Sequence, residues 1–109
     1  MDTNKLDKII LLFASWYKPA CEFLKTFEDV KDYDNFCNLK FESYDIDEDE
    51  QGQYLKLQYN AYCVPTTILL DKENNLIKKI IGKISEKDFS NIIEDCLVEH
   101  KELNKYGNL

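Results

Sequence analysis

The apolar run Ile9-Ile10-Leu11-Leu12-Phe13 does not alternate with polar residues. A strand of that kind must be covered on both faces, so residues 8–14 are predicted as a central strand. Pro19 follows, where a helix can begin because its missing N–H is not needed in the first turn. Phe23, Phe27 and Val30, with Leu24 beside them, then recur at helical spacing. The polar run Lys31-Asp32-Tyr33-Asp34-Asn35 ends that helix, and residues 39–44 read as a second strand.

The acidic residues 47–50 lead into a short helix containing Tyr54, Leu55, Leu57 and Gln58, where negative charge suits the positive end of the helix dipole. Residues 66–70 are rich in β-branched side chains and form a third strand. Asp71-Lys72-Glu73-Asn74-Asn75 is a turn in which Asn can take a positive φ, so residues 76–81 return antiparallel as a fourth strand. Ser85 and Asp88 resemble a capping box. Phe89, Ile92, Ile93, Cys96 and Leu97 then form one apolar stripe on a last helix. Beyond about His100 the pattern ends, and residues 101–109 are expected to fray.

The result is a single α/β domain spanning residues 1–109, with its core over about residues 8–97. Its order is strand, helix, strand, helix, strand, strand, helix, with the first two strands parallel. Gly (3) and Pro (2) are scarce, which favours regular elements and short loops.

A formal charge of -7 argues against nucleic acid and against an anionic membrane surface as partners. No segment approaches the roughly 18 apolar residues of a membrane span, and the first residues are polar, so a cytoplasmic setting is expected. The four cysteines, Cys21, Cys37, Cys63 and Cys96, include no CxxC pair and are expected as free thiols. Cys96 falls on the apolar stripe, and Cys37 is expected to pack part-buried.

No cofactor motif is visible. A single histidine, His100, and no CxxC leave nothing on which to build a metal site. A calcium loop beginning at Asp45 fails, because it needs Gly where Glu50 stands and Glu where Lys56 stands. The run Asp45-Ile46-Asp47-Glu48-Asp49 therefore reads as a solvated acidic turn.

The stretch Phe13-Ala14-Ser15-Trp16-Tyr17-Lys18-Pro19-Ala20 resembles the active-site turn of the thioredoxin family, Trp-Cys-Gly-Pro-Cys. Three further stretches are similar to that family in the same order: Phe27-Glu28-Asp29-Val30, Tyr59-Asn60-Ala61-Tyr62-Cys63-Val64-Pro65-Thr66, and Ile80-Ile81-Gly82 with Ser85. Together they cover residues 8–97. The resemblance implies a minimal thioredoxin-like fold, a four-stranded mixed sheet flanked by helices, without the family's additional first strand and helix. It also implies that the Val64–Pro65 bond is cis and that the loop before it offers main-chain groups to an extended peptide.

The chemistry departs from the family. Dithiol exchange needs an attacking thiolate and a resolving thiol. Tyr17 and Ala20 hold those two positions, and the family's buried acid aligns with Leu11. A basic residue frequent on the neighbouring strand aligns with Ser43. These substitutions point to a redox-silent module that binds protein or peptide in a groove formed by Trp16, Tyr17, Pro19, Cys63, Val64 and Pro65. One alternative is a divergent thiol-disulfide oxidoreductase in cell redox homeostasis. It would use Cys21, in the first helical turn where N–H groups favour a thiolate, alone or with Cys63. A second alternative is a structural subunit of a larger complex.

Overall fold

The computed structural model describes residues 5–106, with side chains through Leu97. Four strands and three helices follow one another as β1 (Leu6–Phe13), α1 (Lys18–Lys31), β2 (Lys40–Asp45), α2 (Glu50–Gln58), β3 (Thr66–Asp71), β4 (Leu76–Ile81) and α3 (Glu86–Tyr106), with a 3-10 turn at Asp34–Phe36. The sheet order is β2-β1-β3-β4. β1 runs parallel to β2 and antiparallel to β3, and β3 and β4 form the antiparallel hairpin. This is the architecture the hydrophobic pattern predicts.

The absence of alternation in β1 has a direct structural cause. Ile9 and Leu11 enter one core with Phe23, Phe27, Val30, Leu69, Phe89 and Ile93, the face covered by α1 and α3. Ile10 and Leu12 enter the opposite core with Ile46, Leu55, Ile68 and Leu70, on the α2 side. Both faces of the strand are dry, so both need apolar residues. Phe89 meets Phe23 edge-on at 5.2 Å between ring centroids and stacks on Phe27 at 5.9 Å, which joins the two long helices.

The turn residues act as their chemistry requires. Asn74 takes φ 65° in the β3–β4 hairpin. Asp71 closes that hairpin by accepting from Glu73 N at 2.9 Å and Asn75 N at 2.8 Å. Ser85 Oγ accepts from Asp88 N at 3.1 Å and caps α3.

One expectation is revised. Cys37 is exposed, not part-buried, because the 3-10 turn directs Phe36 into the core and leaves the next residue outside. The last helix spans Glu86–Tyr106, and the sequence has no glycine or proline between Gly82 and Gly107 to end it sooner. Residues 107–109 and the His100 side chain lie outside the described part of the chain. α2 buries only Gly52 and Leu55, leaving Tyr54 and Leu57 on the surface. Among the described residues no helix is long and apolar enough to cross a membrane.

Gly52 shows how closely α2 is seated. A Cβ there would lie 2.2 Å from the carbonyl oxygen of Asp45, an immovable main-chain atom. Alanine improves helix propensity over glycine by only about 1 kcal/mol. Forcing the helix off the strand end costs more, so Gly52→Ala should lose about 2 kcal/mol net, read as a lower urea midpoint at unchanged slope. An unchanged or raised midpoint would mean that α2 is not held against β2.

Candidate functional site

The strand registers bring three segments to one end of the sheet. β1 reaches its end with Phe13 beside Asp45 of β2, and Leu12 lies beside Thr66 at the start of β3. The turn of residues 14–17, the acidic run after β2 and the loop of residues 61–65 are therefore neighbours.

The turn leaves β1 through Ala14, which is fully buried, and closes with Tyr17 N donating to Ala14 O at 3.1 Å. Pro19 then stands in the first turn of α1. Trp16 and Tyr17 project outward, 68% and 40% exposed, with their rings tilted together at 5.8 Å. Trp16 Nε1 donates to Asp47 Oδ2, so the indole plane is held from its edge while its face stays open. Ala20, at the position of the resolving thiol, is fully buried.

Asp45 holds this arrangement together, and the sequence analysis overlooked it by reading the whole acidic run as solvated. Asp47, Glu48 and Asp49 are exposed as expected, but Asp45 is only 6% exposed. Its Oδ2 accepts from Ser15 N at 3.1 Å. Its Oδ1 accepts from Asp47 N at 2.8 Å and Glu48 N at 3.1 Å. Asp45 N in turn donates to Asp49 Oδ2 at 2.8 Å, and Asp49 N donates to Asp45 O at 3.1 Å. The available signal was position: an Asp at the end of a strand, followed by a short run before a helix, is an acceptor for the N–H groups of that run. Burial pushes the Asp45 carboxyl pKa up, but the amide donors of Asp47, Glu48 and Ser15 outweigh it and hold the group below the ordinary carboxylate value.

The neighbouring segment is the loop of residues 61–65, in which the Val64–Pro65 peptide is cis. Both ends are tied down: Ala61 N donates to Lys56 O at 2.8 Å, and Pro65 O accepts from Gly82 N at 2.8 Å. Thr66 Oγ1 donates to the carbonyl of Cys63. Between these ties, the main chain of Val64 makes no hydrogen bond among the described residues. Its half-buried side chain packs on the α2-side core that also contains Ala14. Tyr62 is 63% exposed, with Lys56 Nζ 6.0 Å from its ring centroid.

The two candidate thiols occupy different settings. Cys63 is exposed on the loop. Cys21 is half-buried, and its Sγ lies 3.6 Å from Ala14 O and 3.5 Å from Ser15 O, where an S–H donates to two carbonyls. The contact expected with first-turn N–H groups is not made, because Cys21 N already donates to Tyr17 O at 3.2 Å and the sulfur turns back toward β1. None of the four cysteines is in a disulfide. Beneath the turn, the registers set Ser43, Leu11, Thr67 and Ile80 side by side across the sheet. Leu11 and Thr67 are fully buried, and the row carries no ionisable side chain.

No family model matches this sequence, and no curated protein matches it. Solved structures do. The thioredoxin Mala s 13 of Malassezia sympodialis superposes with a TM-score of 0.70 at 20% identity, covering 86% of this chain and 76% of that one. Thioredoxin-2 of the malaria parasite gives 0.71 at 16% identity, over 83% of this chain and 84% of that one. The germline-specific thioredoxin Deadhead of Drosophila melanogaster gives 0.67 at 20% identity, over 84% and 81%. The fold is thioredoxin-like.

Because the Asp45 pKa is depressed in the folded state, the unfolded chain binds the proton more readily. The contribution of Asp45 is therefore complete above the unfolded value near 3.9 and is lost as pH falls through the lower folded value. Asp45→Asn should lose about 1–3 kcal/mol at neutral pH, with the gap to the parent protein narrowing below about pH 4. Urea titrations of both proteins across pH 2–7 measure this, and a gap that stays constant or widens in acid contradicts it.

Proposed function

We propose that this chain is a redox-silent thioredoxin-like protein that binds an extended protein segment in the groove between the Trp16 turn and the Val64 loop. The observation that carries this reading is the unengaged main chain of Val64, flanked by tied residues and set beside an exposed aromatic pair. Unpaired main-chain groups on a loop tied at both ends are open to pairing with a peptide main chain, and exposed aromatic side chains supply apolar contact at small entropic cost. Neither requires a thiol.

The catalytic half of the fold is disarmed at three points. Tyr17 is a phenol and forms no disulfide, Ala20 is a methyl group, and Leu11 can neither take nor give a proton. The competing reading, a thiol-disulfide oxidoreductase in cell redox homeostasis, has to use Cys21 with or without Cys63. Against it stands the inward direction of the Cys21 sulfur toward two carbonyl oxygens, and the lack of any ionisable group in the row beneath. The proposed setting is the cytoplasm, where thiols stay reduced.

Two measurements test the halves separately. With dithiothreitol present, the protein should precipitate insulin no faster than the protein-free blank, and turnover that disappears in Cys21→Ser would reverse the order of the two readings. On a mixed library of cysteine-free peptides, the immobilised protein should retain several-fold more material than its Val64→Asp variant, with circular dichroism used to confirm that the variant is folded. Equal retention by the two proteins would remove the groove from the account.

A further inference from the structure

We infer that the occupant of this groove is a basic segment, an extended peptide presenting a Lys or Arg side chain to the open face of Trp16. The inference rests on the binding reading above and specifies its ligand. Its starting point is the indole itself. Trp16 is the most exposed large apolar side chain of the described residues, yet it is not loose, because Asp47 fixes its Nε1 edge and Tyr17 flanks it. A fixed indole face open to solvent attracts a cation through the ring quadrupole, and the methylene stem of Lys or Arg covers the apolar surface at the same time.

The charge around the ring selects the same ligand. The segment that anchors Trp16 continues as Asp47, Glu48, Asp49 and Glu50, all exposed. The ion pairs of the described residues are Lys8–Glu42, Lys31–Glu28, Lys40–Asp7 and Lys83–Glu22, so none neutralises this run. Asp49 is turned inward to the Asp45 amide, but Glu48 and Glu50 make no side-chain hydrogen bond or ion pair among the described residues. The lysines near the groove are Lys18, which opens α1, and Lys56, which lies over Tyr62 on the far wall. Lys56 applies to Tyr62 the same chemistry, cation over ring, that is proposed for a ligand at Trp16. At Trp16 the carboxylates of the run outnumber the one lysine close in sequence, Lys18, while Lys56 stands at Tyr62. An anionic peptide meets repulsion on the indole side, and a cationic one meets both a ring and carboxylates.

The test divides the cysteine-free peptide library into three sets with the same random apolar centre, flanked by Lys, by Gln or by Glu. Each set is captured on immobilised protein and quantified by mass spectrometry, and the Lys set is titrated in solution against the fluorescence of Trp16, the only tryptophan. The Lys set should be retained roughly tenfold over the Gln set at low salt, and the ratio should fall toward one at about 0.5 M NaCl, where exposed charges are screened. The double variant Glu48→Gln, Glu50→Gln should lose most of the Lys preference and keep its Gln-set binding, since Asp47 still accepts from the indole N–H. Lys and Gln sets retained equally, and both lost in Val64→Asp, would overturn the basic ligand while leaving the groove intact. A Lys preference that persists undiminished in the double variant would place the attraction elsewhere and also overturn it. No set retained above Val64→Asp would remove the groove and this inference together.

Discussion

One buried carboxylate fixes the geometry on which everything else depends. Three chain segments meet at the end of the sheet: the turn leaving β1, the end of β2 and the start of α2. All of them carry main-chain N–H groups that need acceptors. Asp45 supplies the acceptors for Ser15, Asp47 and Glu48 from two oxygens. Its own amide and carbonyl engage Asp49, and its carbonyl sits where any side chain at position 52 would collide. An anion so buried is tolerable only because it is surrounded by donors. Its removal would leave the turn that carries Trp16 without its link to β2.

That anchoring explains how the turn and the loop beside it hold their geometry with no cysteine in either tie. In this chain the geometry of the turn does not come from cysteines. It comes from Ala14 in the core, Pro19 in the first helical turn and Asp45 beneath Ser15. The loop opposite is held in the same way, by Lys56 and Gly82 on its flanks. Both segments are main-chain structures with local ties.

The fold was legible because its signals are apolar and periodic. Ile9 to Phe13 demanded a strand buried on both faces, and the stripe from Phe89 to Leu97 demanded a helix on one. Of the candidate site, the turn at Trp16 with Pro19 at the start of α1, and the cis bond at Pro65, were legible from those residues themselves. The sequence was least informative about acidic residues. Asp45, Asp47 and Asp49 are the same residue type within one short run, yet one is a buried acceptor, one holds an indole and one caps a neighbour's amide. Composition cannot separate these roles, because they depend on which N–H groups the strand end brings within reach. None of the four thiols is in a disulfide, as the lack of a CxxC pair implies, but the surroundings of two of them differ from expectation. A helix N-terminus suggested amide contacts for Cys21, but its rotamer sends the sulfur back to the carbonyls of Ala14 and Ser15. Cys37 was assigned to packing, although the 3-10 turn places it outside.

The central claim is that binding occurs at the Val64 main chain and involves no thiol. Amide chemical shifts of isotope-labelled protein, followed while a retained cysteine-free peptide is added, test it residue by residue. The account predicts fast-exchange shifts concentrated at residues 15–17 and 62–66, the Val64 amide moving most, with the same result after all four cysteines are replaced by serine. Shifts centred on the β4 edge or on α3, or binding that disappears in the cysteine-free protein, would contradict it.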